Sequence, residues 1–273
     1  MRNKNKFITF CFFATIFFVS NVGAMEGEEV LPIKVLRVPE ITWMEYFSFW
    51  VRFVKDPNGA GGPPSGKCLA RRITEYVERV HLQGDEVFRI LEVGAGNGIF
   101  TVEIARKLER LGIDYEFDAV EMNEDNCREL NEKFKNNQNI HIHKCRFQEF
   151  YPDCKYSVII SGLPHHSIGY VDGAECLRVI LNKYWELLES DGVLSFFEYA
   201  GCPTLRKLLF THISNLREKF LKKYLRTCRM LDYFKEQFIA EETSVMWNFF
   251  PARVWHLRRF TQFEDKKLNL ESL

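Results

Sequence analysis

The chain has 273 residues, room for one α/β domain with extensions or for two small domains, and its 46% hydrophobic content supplies a sizeable core. Lys+Arg and Asp+Glu both total 37, which excludes a global basic field of the kind that announces nucleic acid; such a partner needs a local patch. Aromatics at 15%, with 25 Phe, fit either a Phe-heavy core or a surface that faces lipid or a partner.

In chain order, residues 1–24 come first. "MRNKNK" carries three positive charges, "FITFCFFATIFFV" is apolar, and "SNVGA" ends in small residues. That is the layout of a secretory signal peptide, while an uncleaved membrane anchor, or a start at Met25, would leave the same trace. The apolar run is short for a spanning helix, which needs about 20 residues. Eight cysteines without a C-x-x-C pair point to reduced thiols, hence to a cytosol-facing, membrane-associated domain, with a secreted or periplasmic one as the alternative. Residues 25–66 read as an N-terminal extension. Within it "ITWMEYFSFWVRFVKDP" (41–57) is predicted helical, with Glu45, Ser48, Arg52 and Lys55 in one narrow stripe. The broad aromatic face between residues 43 and 54 suits a phospholipid membrane surface, or packing on the domain.

From residue 67 to 273 a single domain is expected. A helix at about 67–82 leads to strand 88–93, helix 98–111, strand 115–122, helix 124–136 and a short strand 140–145. Strand 156–161, a helix near 174–189 and strand 193–199 follow. The alternation argues for a parallel sheet with helices on both faces, an α/β fold. Then comes a long basic helical region (203–236), and "SVMWNFFPARVWHLRR" reads as two strands turning at Asn248–Pro251.

Two glycine-rich stretches compete for a phosphate. Gly61 to Lys67 fits G-x-x-x-x-G-K, but it follows a helix, Pro63 and Pro64 have no N–H, and Cys68 replaces the metal-holding Ser or Thr. That match is spurious. "RILEVGAGNGIF" has the right context: a buried strand, a sharp turn, then a helix. Gly94, Gly96 and Gly98 let the chain turn and approach a ligand closely. Glu121, 23 residues after Gly98, is placed to accept from ribose hydroxyls, and Glu92 offers a carboxylate to a cationic ligand.

The set "EVGAGNG … VEMN" resembles motif I and the acidic loop of class I S-adenosylmethionine (SAM) methyltransferases. The resemblance implies a Rossmann-like fold with a mostly parallel seven-stranded sheet and an antiparallel last strand. It also implies SAM as cofactor, held by Glu92, Gly94, Ala95, Gly96, Gly98, Glu121, Met122 and Ser161. An acidic adenine contact is usual after the third strand; here "CRFQEF" has Arg146, with Gln148 or Glu149 as substitutes.

After the fourth strand stands "SGLPHHSIGY". Ser161, Gly162, Leu163 and Pro164 resemble the acceptor motif of bacterial phospholipid N-methyltransferases, which methylate phosphatidylethanolamine. The segment before motif I and the closing "VMWNFFPARVWHLRR" are similar to that family too, so the likeness spans most of residues 45–260. It implies that Ser161–Pro164 hold the acceptor amine and that residues 58–69 cover the SAM site. Ribosomal RNA adenine dimethyltransferases share the fold and glycine motif. RNA adenine-N6 methylation and a non-catalytic SAM-fold module therefore stay open beside amino-lipid methylation.

An amine must lose a proton before it attacks a methyl group. His165 and His166 sit where a base could reach, or they cap the following helix. Tyr199 or Phe197 could hold a methylated cation by its ring face, or belong to the core. His141 and His143 share a strand face without a further ligand set, so no metal is expected. The segment 206–229, with eight Lys/Arg and one Glu, fits anionic lipid, RNA phosphates or plain solvent.

Overall fold

The computed structural model describes residues 65–80, 87–199, 217–246, 248 and 251–259. The segment 1–24, the aromatic helix 43–54, the loop through Pro64 and the basic stretch before residue 217 lie outside the described residues. Among the described residues no helix is long and apolar enough to cross a membrane.

The expected alternation is present. Helices α1 (Lys67–Ile73) and α2 (Tyr76–Val80) precede β1 (Phe88–Val93), α3 (Ile99–Leu111), β2 (Tyr115–Glu121), α4 (Glu124–Phe134) and β3 (Ile140–Lys144). After a 3-10 turn at Phe147–Glu149 come β4 (Tyr156–Ser161), α5 (His165–Val171), α6 (Ala174–Leu187), β5 (Leu188–Tyr199), α7 (Arg217–Lys235), β6 (Phe238–Val245) and β7 (Ala252–Arg259). The seven strands lie in the order β3-β2-β1-β4-β5-β7-β6. The pairs from β3 to β5 are parallel, whereas β7 runs antiparallel to both β5 and β6. This is the Rossmann-like sheet with an antiparallel last strand expected above.

Each face of the sheet buries its own cluster. Ile90, Phe117, Ala119, Val158, Ile160 and Val254 pack with α1 and α3 on one side. On the other, Leu91, Val93, Val120, Ile159, Leu194 and Leu257 pack with α6 and α7. The alternation along β1, with successive side chains on opposite faces, assigns Glu92 to the first side. The helix expected over 67–82 breaks after Ile73. There Thr74 turns its hydroxyl back to the carbonyl of Ala70 at 2.8 Å, a local bond that competes with the helical ladder. The buried Lys107 bridges this break from α3, donating to the Thr74 carbonyl at 3.1 Å and pairing with Glu78 at 2.9 Å.

The fifth strand begins at Leu188, not at Val193 as the sequence pattern predicts. Its first residues pass a register irregularity opposite Tyr156 and Val158 before regular pairing starts. Arg259 at the end of β7 closes this corner, donating to the Leu188 carbonyl at 3.1 Å and lying over the Trp185 ring.

Candidate cofactor and acceptor site

In an open α/β sheet, ligands bind beyond the C-terminal strand ends, where the strand order reverses. Here β1 is paired with both β2 and β4, so two loops meet at its end. The first turn is made by Gly94, Gly96 and Gly98, with φ of 77°, 56° and 81°. Those angles lie in the region that side chains other than glycine rarely adopt.

The two loops interlock. Gly162 donates its N–H to the Val93 carbonyl at 2.8 Å. A Cβ at Gly162 would stand 2.7 Å from the Gly94 carbonyl oxygen, and one at Gly94 would stand 2.9 Å from the Leu163 side chain. The loop Ser161–Pro164 thus rests directly on the glycine turn. Glu121 locks the turn from β2: its carboxylate accepts from the Gly96 and Asn123 N–H groups, both at 2.7 Å. Asn123 in turn caps α4 by accepting from Asn126 at 3.0 Å. Met122, next along, is 67% exposed and presents an apolar surface beside that carboxylate. Ala95 is buried in the turn.

Glu92 lies under the turn, fully buried, and neither of its carboxylate oxygens has a hydrogen-bond partner. Burial, with the Glu121 carboxylate nearby, pushes its pKa up to about 8 although contact with Thr101 opposes the shift. An orphaned acid beneath a glycine cradle, with a second carboxylate beside it, fits a ligand that carries positive charge and hydroxyls. SAM is such a ligand. Glu92, Gly94, Ala95, Gly96, Gly98, Glu121 and Met122 all stand around this turn. Gln148 is placed differently, since its side-chain amide donates to Cys176 Sγ on α6 at 3.1 Å. The neighbouring Arg146 and Glu149 are exposed.

The histidine pair splits. His165 turns inward, 3% exposed, with Nε2 at 3.4 Å from Ser161 Oγ and 3.3 Å from the Tyr184 hydroxyl; burial pulls its pKa down to about 4. Ser161 and Tyr184 share a 2.7 Å hydrogen bond, so α6 holds the start of the acceptor loop from below. His166 is partly exposed and bonds Glu198 of β5 at 3.0 Å. Burial opposes its charge, but contacts with Cys228 and Glu198 outweigh burial and raise its pKa to about 9. Glu198 also accepts from Trp255 Nε1 at 2.9 Å and lies 3.7 Å from Lys235 Nζ. Burial alone would raise its pKa, yet these partners bring it down to about 2. Sequence reading missed Glu198, Tyr184 and Trp255. The pattern "FFEY" carried one signal, an acid in the last turnings of an otherwise apolar strand.

Tyr199 ends β5 and meets Phe197 edge-on at 5.2 Å, and Phe197 meets Phe100 edge-on at 6.0 Å. This aromatic row runs from the strand edge back to α3. On β3, His143 pairs with Asp118 at 2.5 Å and His141 is exposed; among the described residues no three His, Cys, Asp or Glu side chains converge as metal ligands. The N–H of Gly66, the last glycine of the false phosphate motif, already donates to Asn248 Oδ1 at 2.7 Å.

No family model matches the sequence. A curated relative, malonyl-[acyl-carrier protein] O-methyltransferase 2 of Ilyobacter polytropus, is 30% identical over 93 residues, 34% of this chain. The chain spans about a third of that relative's length, 33%. A solved structure from Listeria monocytogenes, assigned to the class I SAM-dependent methyltransferases, matches 82% of this chain and 70% of its own at a TM-score of 0.54 and 12% identity. The N-methyltransferase NodS of Bradyrhizobium japonicum, solved with S-adenosyl-L-homocysteine (SAH), matches 79% of this chain and 98% of its own at 0.48 and 16%. Strand order, the antiparallel β7 and the Listeria likeness together show that the chain has the Rossmann-like fold of class I SAM-dependent methyltransferases.

Proposed function

We propose that the chain is a SAM-dependent methyltransferase that methylates the amine of phosphatidylethanolamine or a related amino-lipid. The observation that carries the methyltransferase reading is the orphaned Glu92 beneath a glycine turn that Glu121 locks and the Ser161–Pro164 loop covers. When bound, SAM supplies an electrophilic methyl group. The residues supply the rest: Ser161–Pro164 present the acceptor, and the aromatic row ending at Tyr199 faces the cation that methylation leaves behind. The partly exposed His166 accepts a proton in its neutral form. The finer choice of an amino-lipid rests on the likeness of "SGLP" and of the flanking segments to phospholipid N-methyltransferases. Membrane association is part of this proposal. Helix α7 turns Lys222, Lys223, Leu225, Arg226 and Arg229 outward, a face suited to anionic lipid.

A second reading has its own support. His166 is held protonated at neutral pH by its partners, which favours an anionic acceptor such as a carboxylate. The curated relative is named for O-methylation of malonyl-acyl carrier protein. The two readings differ in pH dependence. An amine acceptor needs neutral His166, so the rate rises with pH up to about 9. A carboxylate held by the imidazolium loses rate above about 9.

The test is methyl-labelled SAM with phosphatidylethanolamine vesicles, malonyl-acyl carrier protein and total RNA in parallel, at several pH values. Gly96→Arg is the control. Label in lipid, rising with pH and absent from the control, is the expected result. Label only in the carrier protein selects the second reading, and label only in RNA replaces both. SAM binding without transfer to any of them removes the amino-lipid assignment.

A further inference from the structure

Glu92 is a buried acid that no partner in the fold satisfies. It has no exposed surface, and both carboxylate oxygens lack a hydrogen bond. An unpaired anion in such a place is so costly that the group holds a proton instead. Its neighbours offer no counter-charge. Its register partners are Ala119 on β2 and Ile160 on β4, both apolar. From α3 comes Thr101, itself fully buried, whose neutral contact eases an ionised Glu92 without outweighing burial. The charged group that faces Glu92 is Glu121 of β2, of the same sign as an ionised Glu92. Two residues beyond Glu92, the chain opens into the glycine turn, where a ligand can come close to the backbone. The missing counter-charge can therefore arrive with the ligand.

We propose that Glu92 is a neutral carboxylic acid in the free protein and loses its proton as SAM binds, so that capture of the cationic cofactor is coupled to release of one proton. The inference rests on the SAM reading above and adds a thermodynamic signature to it. The carboxyl O–H bond breaks, the proton passes to solvent, and the carboxylate pairs with the positive charge of the cofactor. Nothing is oxidised or reduced. In the free state Glu92 then presents an uncharged site, and the negative charge exists only when there is a cation to meet it.

The experiment is calorimetric titration of the full chain with SAM at pH 7, in buffers of different ionisation enthalpy. With Glu92 held near 8, about 0.9 of it is protonated at pH 7, so Glu92 gives up ~0.9 proton per SAM and the net release, less the uptake by the cofactor's own amine, is ~0.8. Affinity strengthens about eightfold from pH 6 to 7, peaks near 8 and falls above it as free SAM loses its ammonium proton. The α-amino group of free SAM titrates near 7.7–8.0, and binding it as the ammonium takes up only ~0.1 proton at pH 7. That contribution has the opposite sign, so the two cannot be confused. Glu92→Gln keeps the shape of the neutral acid without its proton. It should leave only the small uptake, an affinity nearly flat from pH 6 to 7 and weaker SAM binding, with circular dichroism confirming the fold. Heat from SAM binding without buffer dependence in the wild type overturns the inference alone. Release that persists in Glu92→Gln assigns the proton to another group and also overturns it. No binding of SAM at all overturns the cofactor reading, and the inference with it.

Discussion

Replacing Glu198 with Gln tests whether the acceptor side of the site is organised by one buried carboxylate. Glu198 accepts from His166 and Trp255 at 3.0 and 2.9 Å, with Lys235 at 3.7 Å, while its side chain is 5% and that of His166 21% exposed. His166 is raised from 6.5 to about 9, so its contribution to stability is fully present below pH 6.5 and is lost as pH rises through 9. A shift of that size corresponds to roughly 3 kcal/mol. Seen from Glu198, lowered to about 2, the same interaction is present above pH 4.5 and lost as pH falls through 2. The two figures describe one pair and are not added. Glutamine keeps the volume but not the charge, so the buried imidazolium gives up its proton instead of standing alone. Chemical denaturation at pH 7 should show a loss of up to about 3 kcal/mol that shrinks by pH 9.5 to the part owed to Trp255 and Lys235. A histidine NMR titration should move His166 well below about 9, because burial is then opposed only by the contact with Cys228. If His166 still titrates near 9 in the variant, Glu198 is not what holds it and the reasoning fails.

Two further substitutions probe the meeting of the loops. Gly162→Ala puts a methyl group 2.7 Å from the Gly94 carbonyl oxygen, against an ordinary contact of 3.4 Å or more. Backbone must move, at a cost of about 1–3 kcal/mol, and SAH binding measured by thermal shift should weaken at least tenfold. Tyr184→Phe removes the hydroxyl 2.7 Å from Ser161 Oγ, which keeps the Leu163 N–H at 3.2 Å, so the loss of one buried hydrogen bond should cost about 1 kcal/mol in denaturant unfolding. SAH affinity should change far less, since Tyr184 lies below the acceptor loop and away from the glycine turn.

Much of the frame can be read directly from residues. "FRILEV" and "YSVIIS" are buried strands because their apolar runs are bounded by turns, and the glycine turn follows from strand, glycines and helix in sequence. What escaped the sequence depends on distant partners. Helix α5 is seven residues long with no side-chain cap, so nothing local marks it. The early start of β5 at Leu188 is fixed by Arg259, which is 71 positions away. His166 and Glu198 are 32 positions apart and meet only because β4 and β5 are neighbours. For the same reason, two adjacent histidines look equivalent in the sequence but occupy opposite environments: one faces Ser161 and Tyr184, the other a carboxylate.

The place of β7 between β5 and β6 sets an order of assembly. Every strand that shapes the glycine turn and the acceptor loop is complete by Ser161, yet β6 has no strand to pair with until β7 has been made. During synthesis from the N-terminus, β5 offers an open edge for the whole time that residues 200–251 are being added. The wedge that finally fills this gap brings Trp255 to Glu198 and His256 to Ser195 at 2.7 Å. The carboxylate that holds His166 thus receives Trp255, the last of its partners in chain order, only once β7 has been made. A nascent chain stalled before residue 252 would carry a finished glycine turn beside a β5 edge that still lacks its partner strand.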